Sequence, residues 1–314
     1  MRKFPIKRHF GVELEVSNLG IIDNTVFAVE IPYLKKIVSE HTTRKVVAID
    51  EWSQSIDNYY WHIKYDATCG ELGKGPGFPR GWEVASFKAS GWYDLVHIAD
   101  IADQLASHGI RVNRHCGLHI HADISDFNVN QAAVLAARWI KVEQWLKQAV
   151  PKSRRSNKYC KSLASRTKYK LDQKYTPLEF WEIIRPTNTN PHENAQKRVT
   201  LNFVNYVAAL QAKEIHYFGE PKRPTVELRL PEGTLDAESI IRWVQLLLLF
   251  VTTSKVASMP SNMAPEKDFS NVLAYLGLDS TDWRGELREW FIKRINNYGQ
   301  PAYLKKVKQK KLDF

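Results

Sequence analysis

Three short segments of this chain alternate apolar and polar residues without a break, which restricts them to strands with one dry and one polar face. In FGVELEV, residues 10–16, Phe10, Val12, Leu14 and Val16 share one side and leave Gly11, Glu13 and Glu15 on the other. By strand rise the two carboxylates point the same way about 7 Å apart. In GLHIHAD, 117–123, Leu118, Ile120 and Ala122 alternate with His119, His121 and Asp123. In TVELRL, 225–230, Val226, Leu228 and Leu230 oppose Glu227 and Arg229. A shorter strand, WEVAS at 82–86, offers Glu83 behind a Gly/Pro-rich loop over 70–81.

Helices are predicted between these strands. The first, over 92–108, repeats Leu95, Ile98, Ile101, Ala102 and Leu105 at three- and four-residue spacing and is closed by Gly109. A second, over 130–150, carries Leu135, Trp139, Val142 and Leu146 and stops before Pro151. A third, over 237–258, follows Asp236 as N-cap, and its leucine run suits burial on most sides. Shorter helices are expected at 270–276 and 281–296. Strands mixed with long amphipathic helices predict an α+β fold, an antiparallel or mixed sheet with helices on one face and the polar side chains, hence the active site, on the other. We read 1–314 as one domain carrying a basic insertion or flap at about 152–175 and a basic tail at 305–314.

Composition removes several alternatives. Hydrophobic residues make up 44% and charged residues 25% of the 314-residue chain, as in ordinary globular proteins. No run of eighteen apolar residues occurs; the longest candidate, 244–251, reads as a buried helix segment, so no membrane is expected as a partner. The basic N-terminus has no apolar stretch of the secretory kind, and a cytoplasmic location is the expectation. Cys69, Cys116 and Cys160 are widely spaced and form no CxxC pair, which predicts reduced thiols rather than a disulfide framework or structural zinc. The net charge of +11 admits nucleic acid as a partner without favouring it, because the excess sits in two runs, 152–174 and 305–311, of the solvated kind.

Glu13, Glu15, Glu83, His119, His121, Glu227 and Arg229 thus occupy the polar faces of the predicted strands. Taken singly, a glutamate pair or an HxH strand describes a wet surface. Gathered on one face, so many ionisable groups need neutralisation, and divalent cations supply it. Hard oxygen ligands with one or two imidazoles suit Mg2+ or Mn2+ better than zinc. Arg229, on the face of Glu227, is placed to grip a phosphate or carboxylate with its planar donor fork.

Four blocks, FGVELEV at 10–16, GWEVASFKASGWYDL at 81–95, CGLHIHAD at 116–123 and TVELRLPEGTLD at 225–236, with a weaker fifth, RVTLNFVNY at 198–206, resemble the amidoligase family of the glutamine synthetase and glutamate-cysteine ligase superfamily. The resemblance spans roughly 9–250. It implies a carboxylate-amine ligase with a glutamine-synthetase-like fold that uses ATP and two or three magnesium ions. On that pattern Glu13 and Glu15 bind different metals, His119 and Glu227 join one of them, and Glu83 completes the other. His121 is implied as a neighbour contacting substrate, nucleotide or metal. Arg229 and Arg198 would hold the transferring γ-phosphate, and Asn202 would orient the substrate. The substrates implied are a carboxylate and an amine from a small molecule, peptide or protein terminus. Oligomeric state is not legible. One departure is Phe87, where relatives often carry proline, and it concerns the turn after Ser86.

A carboxylate does not condense with an amine near neutral pH because hydroxide is a poor leaving group. Phosphorylation to an acyl phosphate removes that obstacle, and catalysis then consists of positioning and charge neutralisation with water held away. The loop 71–80 and the insertion 152–174 are the expected lids. Two other readings share the residues: a metal-dependent amide hydrolase, which has no use for Arg229 and Arg198 near a metal, and a non-catalytic nucleic-acid-binding protein on the same fold.

Overall fold

In the computed structural model, β1 (His9–Val16) lies inside a sheet rather than at its edge, and its residues face the two sides of that sheet as the alternation in the sequence predicts. The structure describes residues 5, 7–49, 59–66, 68–69, 81–166, 169–187, 197–214, 223–280 and 282–300. The chain divides into two units, one of Pro5–His121 with Pro231–Val244, the other of Ala122–Leu230 with Gln245–Phe314 and the first four residues.

The first unit holds β2 (Leu19–Ile22), β3 (Thr25–Ala28), α1 (Ile31–Glu40), β4 (Val46–Ile49), β5 (Trp61–Asp66), β6 (Gly81–Ala85), β7 (Ala89–Ser90), α2 (Gly91–Ser107) and the start of β8 (Leu118–Asp123). Its sheet runs β4-β5-β6-β1-β8, with β7 beside the beginning of β1. The sheet is mixed, since β4 and β5 are parallel whereas β5, β6 and β1 are antiparallel. Register aligns Leu14 with Val84 and Ile63 on one face, and Glu15 with Glu83 and Lys64 on the other. The apolar face is dry: Val12, Leu14, Val16, Ile63 and Val84 are all buried. Against this side of the unit α2 packs on β1 and α1 on β4 and β5. Leu95, Ile98, Ile101, Ala102 and Leu105 of α2 are buried, as their spacing predicts.

Helix α2 ends as expected at Gly109, which has φ +81°; its N–H donates to Ala106 O and that of Ile110 to Leu105 O, the double bond of a glycine-terminated helix. Any side chain there would also strike Ile21 and Ile22. The hairpin β2–β3 turns on Asp23 and Asn24, both with positive φ, and was not foreseen.

Phe87 does not disturb the turn after Ser86. The Ser86 N–H donates to Val12 O, Val12 N–H donates to Ser86 Oγ at 2.9 Å, and that hydroxyl donates to Phe87 O. Ser86 therefore stands in for a ladder partner where β6 hands over to β7. The Phe87 ring is buried edge-on to Trp61, with the Arg44 guanidinium 3.6 Å from its centre.

The second unit contains α3 (Val129–Gln148), α4 (Lys152–Arg155), α5 (Pro177–Ile184), β9 (Leu201–Asn202), α6 (Val204–Glu214), β10 (Thr225–Leu228), most of α7 (Ala237–Lys255), α8 (Phe269–Leu276) and α9 (Arg284–Tyr298). A capping box opens α3: Gln131 N–H donates to Asn128 Oδ1, and Asn128 N–H donates to Gln131 Oε1. This helix packs on α5, α8 and α9. The leucine-rich α7 is mostly buried, as expected for a core helix. The front of the basic stretch is anchored, with Arg154, Cys160 and Leu163 buried. The proposed lid at 71–80 and the tail at 305–314 lie outside the described residues. Ser86→Ala should leave the Val12 N–H without its acceptor and lower stability by about 1–2 kcal/mol in urea unfolding.

Candidate active site

Strand geometry places Glu13 and Glu15 on one face of β1, and β8 runs alongside with His119 and His121. The four residues meet. His119 Nδ1 is 3.2 Å from Glu13 Oε2 and its Nε2 is 3.3 Å from Glu15 Oε1, so a single imidazole bridges both carboxylates. His121 Nε2 is 3.1 Å from Glu13 Oε1. Glu15 also accepts the Gly117 N–H. Glu15, Glu83 and His119 are each at most 6% exposed, which makes this a recessed polar surface and not a wet strand face.

Glu83 sits opposite Glu15 across the β1–β6 ladder, and Lys64 sits opposite Glu83 on β5 with its Nζ 2.6 Å from Glu83 Oε1. Burial alone would raise the Glu13 carboxyl; His121, Lys64 and hydrogen bonds from both histidines hold it well below the usual carboxylate range. Burial, reinforced by the charge of Glu13, pushes Glu83 up to about 7 despite Lys64. Lys64 is desolvated too, yet Glu83 and Glu13 hold its ammonium above the ordinary lysine range. Sequence reasoning missed Lys64, although WHIKYD alternates Trp61, Ile63 and Tyr65 with His62, Lys64 and Asp66. It also missed that Glu15, Asp66 and Cys69 offer ligand atoms within 4.8 Å of one another.

Two motif glycines explain how Gly117 reaches Glu15. Gly233 N–H donates to Cys116 O at 2.9 Å, and a Cβ on Gly233 would lie 2.5 Å from Cys116 Cβ. The CGLH and PEGT segments therefore approach at backbone distance, with Gly117 bridged to Glu232.

The remaining predicted residues belong to the second unit. Register opposes Glu227 on β10 to Asn202 on β9. Asn202 Nδ2 donates to Glu227 Oε2 at 2.7 Å, and Arg229 Nη1 donates to Glu227 Oε1, so these three form one cluster in which Asn202 and Glu227 are buried and Arg229 is partly exposed. Arg198 is placed differently: it is exposed, and its guanidinium lies 5.0 Å from the centre of the Tyr159 ring.

The donor set of the first unit fits a hard divalent cation. Two carboxylates converge on one imidazole within 3.3 Å and oxygen predominates, the ligand chemistry that suits magnesium or manganese.

The profile of a family described as "Putative amidoligase enzyme" matches residues 6–251. A solved structure titled "Crystal structure of novel glutamine synthase homolog" is similar at 11% identity with a TM-score of 0.36, covering 98% of this chain and 68% of its own. Another, titled "Apo GmaS without ligand", has 11% identity and a TM-score of 0.34 over the same shares. No curated protein sequence matches the chain.

Because the Glu83 carboxyl is raised to about 7 from an ordinary 4.5, the folded state holds its proton more tightly than the unfolded state. The associated stability is complete below the unfolded value and is lost as pH rises through about 7. In the presence of chelator, Glu83→Gln should remove this loss, so that the variant's melting temperature falls less than the wild type's between about pH 5 and about pH 8 in thermal unfolding.

Proposed function

This chain belongs to the amidoligase family, its profile matching 6–251 of 314 residues, and from that membership we propose an ATP-dependent carboxylate-amine ligase working through an acyl phosphate. The observation that carries the reading is His119 clamped between the carboxylates of Glu13 and Glu15 on a recessed sheet face. Such a cluster suits magnesium bound to the phosphates of a nucleotide better than it suits an isolated side-chain network.

In this reading Glu13, Glu15, Glu83 and His119 are ligands of divalent ions, Glu13 and Glu15 of different ones, and the family pattern makes Glu227 a further carboxylate ligand. Bound there, magnesium offsets the charge of the phosphates during transfer. His121 fixes Glu13 from its outer side, as histidine and carboxylate partners commonly do around metal ligands. Lys64 keeps Glu83 oriented across the ladder. Arg229, already held by Glu227, presents the rest of its donor fork to the migrating phosphoryl group. Arg198 supplies a second guanidinium, and Asn202 orients Glu227 and substrate. The substrate carboxylate oxygen attacks the γ-phosphorus and ADP leaves. The amine then attacks the acyl carbon, loses a proton, and phosphate departs with the bond to oxygen.

A panel of amino acids and amines, scored for ADP and phosphate release with magnesium, tests the activity. Glu13→Ala and Arg229→Ala should each lower the rate at least about 100-fold with unfolding unchanged in cooperativity. Full activity in both variants would reject the assignment. Adding Mg2+ to chelator-treated protein should raise the melting temperature, by the equivalent of about 2.7 kcal/mol at a hundredfold excess over Kd, and Glu15→Ala should lose that response.

A further inference from the structure

We propose that Glu143, a residue of α3 outside every motif above, is the positioning residue for Arg198 and Arg229; the inference rests on the functional reading that gives those arginines the phosphoryl group. Glu143 is 1% exposed, and a carboxylate so placed is tolerated only when donors surround it. It has four: the hydroxyls of Ser162 and Thr200, the Leu163 N–H at 2.7 Å and the Ala164 N–H at 3.4 Å. Three of them come from the basic stretch after α4. The fourth comes from the residue that leads into β9. A single side chain therefore ties the basic stretch to the segment, 198–200, that leads into β9.

From Thr200, which this carboxylate holds, Arg229 is one backbone hydrogen bond away and Arg198 two. Thr200 N–H donates to Lys161 O at 2.9 Å and Lys161 N–H to Arg198 O at 3.0 Å, a parallel bridge that pins residues 198–200. On its other side Thr200 O accepts the Arg229 N–H at 3.0 Å. Arg229 O in turn accepts Arg154 Nη2 at 2.6 Å, from the same basic stretch. Trp139, four residues before Glu143 on α3, donates its indole N–H to Thr200 Oγ1 at 3.0 Å. Helix α3 thus meets Thr200 with a donor and an acceptor from one face. An apolar residue at 143 could fill this space but could not set the direction of four donors. Directional bonds are what hold a guanidinium within the tolerance that phosphoryl transfer demands.

Glu143→Gln keeps the shape of the side chain while replacing one acceptor oxygen by a donor. The full chain is titrated with ATP in excess Mg2+ by calorimetry as wild type, Glu143→Gln, Arg198→Ala, Arg229→Ala and the Glu143→Gln/Arg198→Ala double variant. Each single substitution should weaken binding about 10-fold, and the double should fall short of the roughly 100-fold product of the two, because the share of the Glu143 effect that acts through Arg198 is already lost. Hydrogen exchange at the amides of Leu163, Thr200 and Arg229 should quicken in Glu143→Gln. Should Glu143→Gln not fold, Thr200→Val is expected to weaken binding to the same degree, and Thr200→Ser, which keeps the hydroxyl, to restore it within about twofold. Weakened arginine variants beside an unaffected Glu143→Gln or Thr200→Val overturn the positioning role alone, as does full additivity in the double variant. Arginine variants that bind like the wild type overturn the functional reading, and the positioning role with it.

Discussion

Glu15 and Glu83 face each other across adjacent antiparallel strands, both nearly excluded from solvent, and like charges in that relation repel. Around this conflict the sheet of the first unit is organised. Lys64 is set on the third strand of the same row, His119 lies between Glu13 and Glu15, and Gly117 turns its N–H toward Glu15. The two motif glycines follow from the last contact, since only a close backbone approach at Cys116 and Gly233 presents that amide. Even so, the Glu83 carboxyl stays far above its ordinary range, so the protein's own cations do not complete the neutralisation.

The second unit treats its buried carboxylates in another way. Glu227 has both a neutral donor, Asn202, and a cation, Arg229. Glu143 accepts hydrogen bonds from hydroxyl and backbone groups. A carboxylate satisfied by fixed donors orders the segments that carry them, whereas one shared with a guanidinium constrains one charge and leaves the rest of the fork for other work. This difference separates a residue that arranges the backbone from one suited to meet a phosphate. It also gives the front of the basic stretch a purpose that its composition conceals. Basic residues mark its sequence, but the groups that Glu143 holds in it are Ser162, Leu163 and Ala164.

Elements whose residues answer to a local rule were legible. Helix α3 was foreseen over 130–150 and spans Val129–Gln148; α2 was foreseen over 92–108 and spans Gly91–Ser107, because apolar spacing and a terminating glycine act within a few turns. The hairpin β2–β3 went unread although Asp23-Asn24 between two apolar runs is a turn signal, since its strands are four residues each and partly exposed. Strand β5 went unread although Trp61, Ile63 and Tyr65 alternate with His62, Lys64 and Asp66, since a six-residue alternation gives no sign of which strand it pairs with.

Alternation by itself determined that Glu13 and Glu15 share a face, that His119 and His121 share a face, and that Glu227 and Arg229 do, because side-chain direction in a strand follows parity alone. The motifs determined the family. Which strands became neighbours lay beyond any local rule: that His119 bridges Glu13 and Glu15, that Lys64 reaches Glu83, and that Glu143 reaches Thr200 depend on register between segments 19 to more than 100 residues apart. Such pairings are decided by the packing of apolar faces that carry no chemistry, and the charged side chains take the positions that packing leaves them.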